Sequence, residues 1–197
     1  MERLRILIST GSTWSEDESH LIPAISEALS QQLVVRFVIA PHEVDESHLQ
    51  NLELNLKNKN LSYQRYSMST TWSANSILII DQIGILAEIY TWGKMAFVGG
   101  SFKKQVHSVM EPLAAGLFTL VGPFHDNNRE AVEFQSRDLS HFPVVYQFNN
   151  WTEIFGQIKK ISSVSTREMQ KKIQSLIHEK SGATEKLLAY LERNIPL

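Results

Sequence analysis

Two adjacent glycines, Gly99 and Gly100, followed by His107 and Glu111, form the stretch of this sequence best suited to chemistry. Glycine tolerates positive φ and lets a ligand approach the backbone closely. Where such a loop delivers the chain to a helix start, unpaired amides and the helix dipole attract an anion, and phosphate suits the place. The same pair also suits a tight strand-to-helix turn with no ligand, and the glycines alone leave both readings open. His107 and Glu111 stand four positions apart, so on one helix they share a face. Elsewhere they would be a solvated surface pair. Here, directly before Pro112, the carboxylate can accept two hydroxyl hydrogen bonds from a ribose.

Other side chains could join them. Lys103 and Lys104 are ordinary surface charges unless the loop holds a phosphate, in which case one screens its charge. His42 follows Pro41 at the end of an apolar run, where it either touches a base or phosphate or is a common loop histidine. Ser12 and Thr13, with Trp14, either close a crevice, face a partner domain or pack in the core. Asp17 and Glu18 read as helix-start acids.

These residues need a scaffold, and the hydrophobic pattern supplies one. Leu4–Ile8, Val34–Ala40, Leu61–Tyr66, Ile77–Ile80, Met95–Val98, Phe118–Val121 and Val144–Tyr146 read as short buried strands, the first stopped by the turn formers of 9–13. Between them lie helical patterns: one from about Asp17 to Leu29, with Pro23 admissible only early, then Asp45–Leu56, Gly84–Tyr90, Val109–Ala115, Asn127–Arg137 and Trp151–Ile161. The segment Met68–Asn75 reads as a polar connection. Strands alternating with helices imply a parallel sheet covered on both faces, a Rossmann-like doubly wound α/β domain over 1–164. From Ser165 on, no strand pattern remains, and 165–197 reads as two helices broken near Ser181-Gly182 that pack on the same domain. In such sheets ligands bind beyond the carboxyl ends of the strands. Gly11–Trp14, Pro41–Glu43, Asp81–Gly84 (with Ile83) and Gly99–Ser108 all fall there.

Composition narrows the function classes. The 197 residues are 43% hydrophobic and 20% charged, which suits one globular core. A net charge of −2 gives no field favouring nucleic acid. No cysteine is present, which removes disulfides, thiol chemistry and the commonest zinc motifs. No apolar run reaches the roughly 20 residues needed to span a bilayer. A soluble, cytoplasmic chain is expected.

Read together, Gly11-Ser12-Thr13-Trp14-Ser15-Glu16-Asp17-Glu18, Ala40-Pro41-His42-Glu43, the run from Ile79 to Leu86, Phe97-Val98-Gly99-Gly100-Ser101-Phe102, the run from His107 to Pro112, and Gly122-Pro123 resemble, in order and spacing, the C-terminal half of 3-deoxy-D-manno-octulosonic acid (Kdo) transferases. The resemblance runs from about Leu4 to Ile161. It implies the donor-binding half of a GT-B glycosyltransferase that holds CMP-Kdo without a metal or other cofactor. It places phosphate at Gly99, Gly100 and the following helix start, with His107 and Ser108 nearby, ribose at Glu111, and the nucleotide against Pro41, His42, Ile83 and Gly84. It further implies a lipid A precursor as acceptor at the cytoplasmic face of the inner membrane, in lipopolysaccharide biosynthesis. The general base would sit in an N-terminal domain absent from these residues, so the chain alone should be inactive and no catalytic residue is expected in it. Where the related branch carries Gly-Lys-Gly-Ile-His-Asn, this chain has Lys103-Lys104-Gln105-Val106-His107-Ser108. That replacement keeps two alternatives in view: a GT-B sugar-nucleotide epimerase using uridine diphosphate, and a noncatalytic nucleotide-binding module.

Overall fold

The computed structural model describes residues 6–68, 71–72, 77–103, 105–139, 142–180 and 183–194. Along the chain run β1 (Ile6–Thr13), α1 (Ser15–Ser30), β2 (Val35–Pro41), α2 (Glu46–Asn58), β3 (Tyr63–Arg65), β4 (Ile77–Ile79), α3 (Leu86–Trp92) and β5 (Met95–Val98). Then follow α4 (Met110–Ala114), β6 (Phe118–Val121), α5 (Arg129–Gln135), β7 (Asp138–Leu139), β8 (Phe142–Pro143), β9 (Val145–Gln147), α6 (Trp151–Ser162), α7 (Arg167–Lys180) and α8 (Ala183–Asn194). Seven strands form one sheet in the order β3-β4-β2-β1-β5-β6-β9, with every neighbouring pair parallel. The expected parallel α/β sheet is present. Its central strands β2, β4, β5 and β6 are short apolar runs because both faces are covered by helices.

The topology fixes where a ligand can sit. From β1 the chain builds outward through β2 to β3 and β4 on one side, then returns to place β5 on the other side of β1. Loops leaving β1 and β5 therefore diverge, and a crevice opens between them at the carboxyl ends of the strands. The core beneath is continuous. Phe37, Ile39, Phe97, Phe118 and Ile77 from the sheet pack with Ile25, Ala28, Leu52 and Ile158 from the helices, all with 1% exposure or less.

Three local results differ from the sequence reading. β1 extends through Thr13, whereas the turn-forming residues 9–13 suggested a loop. Ser9, Thr10 and Thr13 are buried; the Thr10 hydroxyl donates to Val38 O of β2 at 3.0 Å and the Thr13 hydroxyl to Glu18 Oε1 at 3.0 Å, so strand pairing and a buried acid satisfy two of the three. Pro23 lies in the interior of α1 rather than early in it. The carbonyl it leaves without a helical partner belongs to Ser19, an exposed residue. The small β7–β8 ladder is antiparallel, and its strands are too short for a period to register in sequence.

The other helices lie close to their expected places. Asp45 caps α2 by accepting from the amides of Ser47 at 3.0 Å and His48 at 3.1 Å. The two terminal helices are present, although their break at Ser181-Gly182 lies outside the described residues, as do Leu4 and part of 68–75. α7 packs on the domain: Ile173 is buried with Val109 and Leu113, and the Gln170 amide donates to Gly93 O at 3.1 Å. α8 exposes Leu187, Leu188 and Tyr190. Among the described residues no helix is long and apolar enough to cross a membrane.

Phe37 is fully buried in the central layer, so Phe37→Ala should destabilise the fold by about 3–5 kcal/mol. Urea denaturation measures it, and a loss below about 1 kcal/mol would show that this layer is not the stabilising core.

Candidate functional site

The crevice is framed by the β1–α1 turn and the loop after β5, and the two are bonded together. Gly99 N donates to Gly11 O at 2.9 Å, and Gly100 N donates to the Asp17 carboxylate at 2.8 Å. The same Asp17 oxygen accepts from Trp14 N at 2.9 Å, as an N3 acid reaching back to the start of α1. Both glycines are required, for different reasons. Gly100 has φ +88, which only glycine adopts without strain. Gly99 needs its missing side chain, because a Cβ there would lie 2.1 Å from Ser12 O. Ser12 itself has φ 54 at an irregularity in the β1–β2 register, a strained conformation of the kind found at functional turns.

The two amides of the glycine pair have acceptors within the protein, Gly11 O and Asp17, and so shape the loop. Below, Phe102 stacks on His20 at 4.1 Å and meets Phe148 at 5.5 Å, while the buried Ser101 hydroxyl accepts from Gly122 N at 2.6 Å. The loop is therefore held from the core. In its upper part Val106 packs into the core, while Gln105 and Ser108 are exposed and His107 is half-buried.

Above the glycines stands an aromatic cluster drawn from three loops. The rings of Trp14 and His42 are 4.5 Å apart, and those of His42 and His107 stack at 4.4 Å. The Trp14 indole N–H donates to His107 Nε2 at 3.3 Å. Lys103 Nζ lies 3.7 Å from the centre of the Trp14 ring, a cation–π contact. His107 is held below the usual histidine range, first by burial and second by the neighbouring His42.

Glu111 is reached from another side. It lies in the first turn of α4, is exposed, and its carboxylate makes no hydrogen bond among the described residues. Tyr90 marks its position: the buried phenol, which packs against Gly11, is pushed up by burial and then by the Glu111 carboxylate. Glu111 thus sits near the carboxyl end of β1 with its carboxylate free. The Ser108 hydroxyl accepts from Met110 N at 3.3 Å. Pro41 ends β2 beside Thr13, and His42 N donates to Thr13 O at 2.9 Å.

Other expected residues stand apart. Thr13 is buried, and its hydroxyl donates to Glu18 Oε1 at 3.0 Å, so it does not reach the crevice. Ile83 is 85% exposed, and Gly84 follows it with φ +95 in the loop beyond β4. Lys104 lies outside the described residues. Among the described residues no group of His, Asp or Glu is arranged to hold a metal ion.

Sequence reasoning missed the buried acids. Asp17 and Glu18 were expected as helix-start acids, yet both are buried. Glu18 receives Thr13 and bonds His48 Nε2 at 3.0 Å, joining β1 to α2. Burial raises the Asp17 pKa to about 6 against the lowering effect of its backbone hydrogen bonds. The one signal available was the spacing of Asp17 from Trp14, and helix-start acids share it.

No family model matches the chain. It resembles 3-deoxy-D-manno-octulosonic acid transferases: that of Chlamydophila psittaci is 31% identical over 129 residues, covering 64% of this chain and 29% of the relative. That of Aquifex aeolicus is 24% identical over 189 residues, covering 93% of this chain and 49% of the relative. The chain therefore spans half or less of these curated relatives. Among solved structures, the C-terminal CMP-Kdo binding domain of WaaA from Acinetobacter baumannii matches with a TM-score of 0.73 at 19% identity, over 89% of this chain and 88% of that one. Trehalose-6-phosphate synthase OtsA matches at 0.60 and 12% identity, over 98% of this chain and 45% of the other. The fold is that of one Rossmann-like half of a GT-B glycosyltransferase.

Asp17 gives a pH test. Its folded pKa, raised to about 6 from 3.8, makes a stabilising contribution that is full below about pH 4 and lost as pH rises through about 6. Relative to Asp17→Asn, the wild type should gain roughly 1 kcal/mol between pH 7.5 and pH 5. Parallel pH profiles in thermal denaturation would contradict the assignment.

Proposed function

We propose that this chain is the donor-binding half of a Kdo transferase, holding CMP-Kdo at the crevice between the β1 and β5 loops. The observation that carries the reading is the convergence there of Trp14, His42, His107 and Lys103, with an unpaired carboxylate at Glu111 on the α4 that follows the same loop, in a chain whose sequence resembles Kdo transferases. Glu111 accepts the two ribose hydroxyls. The phosphate lies against Lys103, His107 and the Ser108 end of the loop, and the base lies toward His42, Pro41, Ile83 and Gly84.

In the transfer, an acceptor hydroxyl attacks the anomeric carbon of Kdo and CMP departs with the bonding electrons. Charge then grows on the phosphate. Fixed cationic and N–H groups placed around that phosphate stabilise the departing group more than the ground state, and no metal is required. We assign the acceptor, a lipid A precursor at the inner membrane surface, and the general base to a second domain. Residues 1–197 alone should accordingly bind CMP without turnover.

Two measurements test the reading. CMP should raise the melting temperature more than UMP or UDP, and a clear preference for UDP would favour the epimerase-like alternative. Glu111→Gln should weaken CMP binding by about 10- to 150-fold, the loss of roughly 1.5–3 kcal/mol for hydrogen bonds to a charged group. Because Glu111 is exposed and makes no bond to backbone, the ligand-free melt should stay unchanged. Unchanged CMP affinity by calorimetry, in a folded variant, would remove Glu111 from the site.

A further inference from the structure

The three-loop cluster holds more basic groups than it can charge at once. His42 and His107 are stacked at 4.4 Å, so one proton on the pair opposes a second. The indole N–H of Trp14 points at His107 Nε2, which must therefore be an unprotonated acceptor. Lys103 already places a permanent positive charge on the Trp14 ring. No carboxylate bonds to either imidazole among the described residues. Asp17 uses one oxygen for the Trp14 and Gly100 amides and keeps the other buried, with no hydrogen bond to either ring, Glu18 bonds Thr13 and His48, and Glu111 lies toward Tyr90. Glu43 and Asp126 are exposed on the neighbouring loops and form no ion pair with the histidines, and Asn128 reaches only His107 O, at 3.0 Å. A second proton thus has no counter-charge inside the protein.

We propose that this cluster is a proton-linked anion site: a dianionic phosphate group entering the crevice brings a proton onto the His42–His107 pair. The dianion supplies the missing counter-charge, and rotation of His107 or of the indole away from the Nε2 contact frees a ring nitrogen to take the proton. Proton uptake and anion binding then strengthen each other by the same factor, as linkage requires. The inference rests on the crevice being the phosphate site of the proposed function, and it adds how that site is regulated. Binding of the CMP monoester is favoured as pH falls from 8 toward 6, and loss of the proton favours its release, whereas the donor's phosphodiester, with one charge on its phosphate, couples to the proton less strongly.

The test follows the imidazole resonances of His42 and His107 by NMR from pH 5 to 8.5 in the intact 197-residue chain. The additions are sodium sulfate, CMP, and sodium chloride at matched ionic strength. Sulfate remains a dianion across this range, whereas a phosphate monoester itself titrates near pH 6. Sulfate and CMP should each raise the apparent pKa of the pair by at least about one unit, and chloride should not. His107→Gln should abolish the sulfate-induced proton uptake. If CMP binds and the pair titrates as in the free protein, the linkage is overturned and the nucleotide reading stands. If sulfate shifts the pair but CMP does not bind, the linkage stands and the nucleotide reading fails. If neither anion shifts the pair more than chloride does, the inference is wrong.

Discussion

One buried carboxylate ties the site together. Asp17 accepts hydrogen bonds from Trp14 N and Gly100 N, which belong to loops leaving adjacent strands in opposite senses. Without a shared acceptor those amides would be buried and unsatisfied, at about 1–3 kcal/mol each. Burial of the acid opposes its ionisation, and the amides it binds favour it. The strain of Ser12 and the close approach of Gly99 follow from drawing these two loops into one contact.

What this contact positions is a group of side chains that no single element could assemble. Trp14 comes from the start of α1, His42 from the end of β2, and Lys103 and His107 from the loop after β5. Each is held by its backbone anchor: Trp14 by Asp17, His42 by Thr13 O, and His107 by Gly99 O and by Asn128. Glu111 arrives separately on α4, beside Tyr90. The sheet contributes a rigid rim, and the loops contribute the polar and aromatic side chains, the usual division in open α/β folds.

The sheet was legible because its central strands β2, β4, β5 and β6 read as buried apolar runs, while the edge strand β3, Tyr63-Gln64-Arg65, is polar and only half-buried. The β7–β8 ladder and the interior place of Pro23 were not, since the first has no period and the second depends on where the freed carbonyl lies. Among candidate site residues, position along the chain correctly brought Trp14, His42, Lys103 and His107 to one end of the sheet. It could not show that the glycine amides are used internally or that Thr13 points to Glu18, because both depend on partners remote in space. Asp17 looked like any first-turn acid for the same reason: its second partner lies 83 residues away.

The central claim is that a cytidine nucleotide occupies the crevice between the β1 and β5 loops. Backbone amide mapping by NMR during a CMP titration tests it most directly. The account predicts perturbations centred on Ser12–Trp14, His42, Lys103 and His107–Glu111. Perturbations centred instead on the groove lined by Ala114, Lys171, Gln174 and His178, with the crevice unaffected, would contradict it.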